Sequence, residues 1–251
     1  MISKMDPNGA RIGIVLNGSP LFNGDAGSGW SNIRKYLLDR DLLDAIIALP
    51  KNLFYGTDIS SYLWILDNRK PASHKGKVLF VNGVQDSYAS LLQRSLGKKR
   101  YEVSETGADE IVGLYRDFRD ASRTFNGEEV EVAKLMDAED FLYTKVSVLR
   151  PLRDENGNVV KKKGVPQPDK SLSDTERIPM KQDIDEYFKN EVLKFVPDAW
   201  MDRKADKIGC EFPFTKLFYK YKPLRSTEEI LAELEELDKQ MEAQLSDLKN
   251  A

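Results

Sequence analysis

Three stretches carry residue types whose spacing could do chemistry. Lys51-Asn52-Leu53-Phe54-Tyr55-Gly56 sets two adjacent aromatic rings beside a cation and an amide in a polar loop. Aromatic faces next to basic groups form a stacking platform for nucleobases, with a base gaining about 1–3 kcal/mol from the ring. The alternative is that Phe54 caps the core under its own loop, as large apolar side chains commonly do. A second stretch, Asn17 to Gly29, holds Gly24, Gly27 and Gly29 after an apolar run and ahead of a helical pattern. That is the setting of a phosphate cradle, but the order Gly-x-x-Gly-x-Gly is not the dinucleotide Gly-x-Gly-x-x-Gly. No Gly-Lys-Ser/Thr follows either, so a surface loop is the plainer reading. The third stretch is the basic run Gly97-Lys98-Lys99-Arg100. It reads as a solvated helix end, where cations favour the dipole, or as a phosphate contact.

Other chemistry is pruned by counting. His74 is the sole histidine and Cys210 the sole cysteine of 251 residues. One of each, far apart in sequence, argues against a zinc site of usual ligands and rules out an intrachain disulfide. Any Ser-His-Asp or Cys-His arrangement would have to use His74, which sits in the polar connector Pro71-Ala-Ser-His-Lys-Gly. With 38 basic and 41 acidic residues the net charge is −3, so bulk charge gives no case for nucleic-acid binding, although local basic patches can. No apolar run approaches the roughly 18 residues of a membrane span, and Met1 to Ala10 lacks a signal-peptide core. The expected location is the cytoplasm, with no membrane partner.

The elements that must position these residues follow from patterning. Leu43 to Leu49, interrupted by Asp44 and closed by Pro50, and Ser61 to Leu66 read as buried strands flanking the Phe54 loop. Arg11 to Leu16 reads as a buried, parallel strand because it is apolar without alternation. Ser31 is placed as the cap of a helix whose apolar face is Ile33, Tyr36 and Leu37. Residues 77 to 82 form a further strand at a sheet edge, 86 to 100 a helix, and 109 to 118 another. Glu131 to Tyr143 reads as a short strand or turn, then an acidic-aromatic helix. Composition shifts at Arg150; 151–180 reads as a linker or projecting hairpin, with Asn156-Gly157 as its turn. Asp183 to Val196 reads as an amphipathic helix, and Phe212 to Tyr221 as aromatic packing interleaved with lysines. The chain closes on a long helix. Ser226 and Glu229 form a capping box, after which Ile230, Leu234, Leu237, Met241, Leu245 and Leu248 recur every three or four residues. Such a seam suits a coiled-coil partner or packing onto the chain's own body.

Several of these residues resemble a known family. Arg11-Ile-Gly-Ile-Val-Leu-Asn-Gly-Ser-Pro-Leu-Phe, Gly27-Ser-Gly, Leu43-Asp-Ala-Ile-Ile-Ala-Leu-Pro-Lys-Asn-Leu-Phe-Tyr-Gly-Thr-Asp-Ile, Gly76-Lys-Val-Leu-Phe-Val and Pro197-Asp-Ala-Trp resemble the modification subunit of type I restriction-modification systems. That family methylates adenine N6 in DNA. The resemblance implies an α/β fold: the C-terminal half of a Rossmann-like class I S-adenosylmethionine methyltransferase sheet, then a mostly helical C-terminal region. It implies residues 1–150 in the methyltransferase domain, 151–180 as linker or hairpin, and 181–251 as the helical region with its docking helix. Its partners would be DNA, a specificity subunit and a restriction/translocase subunit. In the family a flipped adenine stacks on an aromatic residue of a late loop, and Phe54 matches that position, with Lys51, Asn52 and Tyr55 as neighbouring DNA contacts. The family's glycine-rich cofactor turn and Asn-Pro-Pro-aromatic motif are not matched; Asp6-Pro7 is the nearest fragment. The implied cofactor, S-adenosylmethionine, therefore belongs to the full subunit, with no catalytic or cofactor-binding residue expected in this chain, which would be inactive alone. A non-enzymatic assembly module is the alternative.

Overall fold

The computed structural model describes residues 1–221, 224 and 226–250, with side chains described as far as Met241. The chain divides into a body over Met1–Phe218 and a second unit over Tyr219–Ala251. In chain order the body contains β1 (Arg11–Asn17), α1 (Ser19–Phe22), α2 (Gly29–Asp39), β2 (Leu43–Leu49), β3 (Ser61–Asp67) and β4 (Lys77–Asn82). Then follow β5 (Ala89–Leu96), β6 (Lys99–Val103), α3 (Glu105–Asp117), β7 (Ala121–Phe125), β8 (Glu128–Asp137) and β9 (Leu142–Leu149). The last elements are β10 (Lys161–Lys162), β11 (Val165–Pro166), β12 (Asp174–Pro179), α4 (Ile184–Tyr187), β13 (Trp200–Cys210) and α5 (Phe214–Leu217).

The fold is mixed α/β around a six-stranded sheet ordered β1-β3-β2-β4-β8-β7. Along β2 the side chains alternate between two cores. Ile46 and Ala48 join Trp64, Phe80, Phe212 and Phe214 on one face, while Ala45 and Ile47 join Leu79, Val81, Ile111 and Leu114 on the other. Helix α2 and the segment after β13 cover the first face, and α3 covers the second, which is why β2 and β4 are apolar on both sides. Strand β9 is the centre of a second sheet, β12-β9-β13, drawn from both sides of Arg150.

Several expectations are corrected. Strand β1 is neither parallel nor buried: it pairs antiparallel with β3 at the sheet edge, and its residues alternate between exposed and half-buried. Only the β2–β4 pair of the large sheet is parallel. Strand β4 is interior, with Val78, Leu79, Phe80 and Val81 fully buried, because β8 supplies a further partner that the sequence did not announce. The segment 86–100 is a single 3₁₀ turn followed by the β5–β6 hairpin, whose turn residue Gly97 takes a left-handed φ of 61°. Glu131–Tyr143 belongs mostly to β8 and β9, with one 3₁₀ turn between them. The cap of α2 is Ser28, whose hydroxyl accepts from the Ser31 amide; the helix buries Ser31, Arg34, Leu37 and Leu38, leaving Ile33 and Tyr36 exposed. The helix expected over 183–196 is α4 running into a π turn that buries Phe188 and Val192.

The second unit holds α6 (Thr227–Asn250), opened by the expected capping box: the Glu229 amide donates to Ser226 Oγ and the Ser226 amide to Glu229, both at 3.1 Å. Ile230, Leu234, Leu237 and Met241 are exposed. The side chains of Leu245 and Leu248 lie outside the described residues.

Candidate nucleic-acid interface

The Phe54 loop joins β2 to β3, two antiparallel neighbours at the heart of the sheet. Pro50 ends β2 by withholding a ladder donor. Asn52 then turns the chain in the left-handed region (φ 57°), a conformation asparagine tolerates better than most residues. Phe54 and Thr57 close an isolated bridge around Tyr55-Gly56. The loop is fastened from outside by the β5–β6 hairpin. The Arg100 amide donates to Asn52 O at 2.9 Å, the Lys98 amide to Tyr55 O at 3.0 Å, and the Asn52 side-chain amide donates back to Lys98 O at 3.2 Å. The Lys98 ammonium pairs with Asp58 at 3.3 Å. Asp58 titrates below the usual carboxylate range because its own backbone amide, and then Lys98, hydrogen-bond the charged form. At Gly97 an added Cβ would lie 2.8 Å from the Tyr55 ring, so only glycine lets the hairpin turn lie this close.

This lacing leaves the rings outward. Phe54 is 38% exposed and Tyr55 67% exposed, and Phe54 is not among the residues of the core clusters. Lys51 is exposed and shares a cleft of about 680 Å³ with Asn52, Asp58, Lys98, Arg100 and Tyr101. Of the four residues singled out in the loop, Phe54 and Lys51 offer free surface, Tyr55 packs on Gly97, and the Asn52 amide is spent on the hairpin. Sequence reasoning missed that the basic run and the aromatic loop meet, because 86–100 read as a helix. The signal was present in Gly97, a turn residue between two short runs.

The glycine-rich loop is built the opposite way. The buried Arg34 guanidinium donates to Cys210 O at 2.7 Å, Asn23 O at 2.8 Å, Pro20 O at 3.0 Å and Gly24 O at 3.4 Å. Burial draws its pKa down from the ordinary value. Ser31 Oγ accepts from the Cys210 amide at 2.9 Å. A phosphate or cofactor cradle presents amide donors to the ligand, whereas here three loop carbonyls converge on a cation of the chain itself. The loop therefore does not fit an S-adenosylmethionine or nucleotide site.

Asp44, His74, Tyr115 and Cys210 are engaged within the fold. Fully buried Asp44 accepts from Tyr115 Oη at 2.5 Å and meets His74 Nδ1 at 3.0 Å, and the His74 ring stacks on Phe118 at 3.4 Å. Burial, then the Asp44 hydrogen bond, raises the Tyr115 pKa. Burial likewise pushes the Cys210 thiol up to about 12, so it is no nucleophile near neutral pH. Among the described residues no group of three or more His, Cys, Asp or Glu could hold a metal ion, and no helix is long and apolar enough to cross a membrane.

The mixed sheet thus carries a partly exposed aromatic loop fastened to a basic hairpin, and comparison with known proteins adds the family. Residues 1–146 match the family model of the N-6 DNA methylases. The match covers more than half of the chain, and the chain belongs to that family. It is similar to the MjaVII methylase subunit of a type I restriction enzyme from Methanocaldococcus jannaschii, with 34% identity over 123 residues, 48% of this chain and 20% of that protein. It is 36% identical to the HindI methylase subunit from Haemophilus influenzae over 91 residues, 35% of this chain and 19% of that one. The chain spans about a fifth of the length of the curated relatives it matches. Among solved structures, the type I methyltransferase subunit from Streptococcus thermophilus is 25% identical, covering 52% of this chain and 24% of that one with a TM-score of 0.40.

Proposed function

We propose that the chain is part of a site-specific DNA adenine-N6 methyltransferase subunit of a type I restriction-modification complex, working in the cytoplasm. The observation that carries this reading is the family match over residues 1–146, the stretch that also contains the exposed Phe54. In this reading β1, β3 and β2 are the C-terminal half of a Rossmann-like sheet, and the free edge of β1 receives the strands that hold S-adenosylmethionine and the catalytic amide in the full subunit. An unpaired edge with an apolar flank is otherwise an association hazard. Phe54 forms the wall of the pocket that stacks the flipped adenine, held firm by the hairpin, with Lys51 next to the nucleotide's phosphates.

In the full subunit, Phe54→Ala is expected to lower DNA affinity and methylation rate by about 5- to 150-fold, the equivalent of roughly 1–3 kcal/mol of stacking. Wild-type rate and affinity in the variant would sink the reading.

The exposed seam of Ile230, Leu234, Leu237 and Met241 supports a docking role for α6 toward the specificity subunit, with the restriction/translocase subunit joining for cleavage. Leu234→Glu with Met241→Glu is expected to abolish co-purification with the specificity subunit; full recovery of the complex would remove α6 from the contact. A purely non-enzymatic assembly module gains no support from the family match.

A further inference from the structure

We propose that the β5–β6 hairpin is a phosphate clamp that grips the backbone of duplex DNA beside the Phe54 loop, a role that rests on the function proposed for that loop. Residues 89–103 contain Arg94, Lys98, Lys99 and Arg100 against the single acid Glu102, in a chain whose net charge is −3. Many cations of the body are paired, as Arg11 with Asp67, Lys70 with Asp41, Arg123 with Glu110 and Lys181 with Asp140. Among the described residues, Lys51, Arg94, Lys99 and Arg100 form no such pair. A cluster of unpaired cations in an acidic protein repels itself and is poorly explained by folding alone. The one pair at the tip, Lys98 with Asp58, has both side chains more than half exposed, and such a pair contributes little. A phosphate oxygen can take its place.

Stiffness separates this hairpin from a solvated charged turn. Its backbone is tied to Asn52 and Tyr55 by the hydrogen bonds already described, and Gly97 lies against the Tyr55 ring. Lys98 and Arg100 are thus set in fixed register to the aromatic loop across the cleft they share with Lys51, while Lys99 and Arg94 extend the charge along the hairpin. Phosphate contacts position a protein on DNA while carrying no sequence information. That is the contribution needed from a chain whose base contact is a single stacking ring.

The test uses the full 251-residue chain and a fluorescein-labelled random duplex of about 30 base pairs, with anisotropy titrations from about 50 to about 200 mM NaCl. Each phosphate neutralised adds about 0.9 to the slope of log affinity against log salt. Arg94→Ala with Lys99→Ala and Arg100→Ala is expected to flatten that slope by about 0.9 for every phosphate no longer neutralised, and to weaken binding equally on any sequence. Arg94→Lys with Arg100→Lys keeps the charge and is expected to keep the slope, which separates a missing charge from a damaged fold. An unchanged slope in the triple alanine variant overturns the clamp, and so does a wild-type chain without salt-dependent binding. The clamp and the stacking role fail separately. Phe54→Ala should leave the slope alone and cut, by about tenfold, the preference for a duplex with one unpaired adenine. If the preference survives in Phe54→Ala while the triple variant flattens the slope, the stacking role falls and the clamp stands.

Discussion

Two loops of this protein follow strands of the same sheet, and each could be taken from sequence for a ligand loop. They are held from opposite sides. The glycine-rich loop after β1 is folded inward, its carbonyls at Pro20, Asn23 and Gly24 gathered on the Arg34 guanidinium. The Phe54 loop after β2 is held from outside by a hairpin that consumes its backbone groups and leaves its rings exposed. A loop's capacity for ligand depends less on its glycine count than on where its polar backbone groups already point. When they are satisfied within the chain, what remains for a ligand is side-chain surface, and in the second loop that surface is an aromatic ring in the same loop as Lys51, which shares a cleft with Arg100.

The contrast breaks most severely at Arg34. Arg34→Ala removes the guanidinium donor from the Cys210, Asn23 and Pro20 carbonyls; the buried Cys210 carbonyl keeps only the longer Ser31 Oγ contact at 3.5 Å, and the other two are partly open to water. An unsatisfied buried acceptor costs about 1–3 kcal/mol, so a net loss of about 2–4 kcal/mol is expected, read as a fall in the urea midpoint. Arg34→Lys should recover little, since a single ammonium cannot reproduce a fork that serves four acceptors. A midpoint within experimental scatter of the wild type would mean that the loop is not organised by the guanidinium. Cys210 gives a second readout. Its folded pKa of about 12 lies above the roughly 8.5 of a free thiol, so the stability it contributes is complete below about pH 8.5 and is lost as pH rises toward 12. In the wild type the thiol should resist alkylation near pH 9; because the Arg34 charge itself lowers the thiol pKa, reaction in Arg34→Ala would report that the loop has opened and relieved the burial, not the loss of charge.

The sequence showed what depends on local pattern and concealed what depends on distant partners. The strands on either side of Phe54 were legible because their apolar runs end at Pro50 and resume at Ser61. The Ser226–Glu229 capping box was legible because it is contained in four residues. Strand β4 was misplaced at an edge because its second neighbour, β8, is more than 40 residues away and reads as mixed in character. The hairpin at 89–103 was hidden for a similar reason. Leu91, Leu92 and Leu96 fit a helical stripe, and the case for a hairpin lies in tertiary bonds to Asn52 and Tyr55 that no local window contains. Arg34 was invisible as a buried residue, since an arginine on an amphipathic helix is normally solvated. What made it buried is a set of carbonyls presented by a loop 10 to 14 residues earlier and by the end of β13.

The Phe54 loop should break more gently, and Gly97 is the place to do it. The position combines a φ of 61° with a Cβ site 2.8 Å from the Tyr55 ring and 3.0 Å from Tyr55 O. Gly97→Val adds about 1–2 kcal/mol of left-handed strain and a clash that the hairpin can relieve only by lifting away. The body is expected to stay folded, because neither core cluster includes residues 89–103 among its strands, Tyr88 being the last buried side chain before the hairpin. Hydrogen exchange should then rise at the Lys98 and Arg100 amides, whose acceptors Tyr55 O and Asn52 O move off, while the amides of β2 and β4 keep their protection. Gly97→Asn separates the two causes, since asparagine tolerates the left-handed region but still carries a Cβ. If Asn restores protection at Lys98, strain alone governs the turn; if it fails as Val does, the Tyr55 contact is what fixes the hairpin to the loop. Loss of protection across β2 in either variant would contradict the separation of loop from sheet, because the outer lacing would then be holding the sheet and not only the loop.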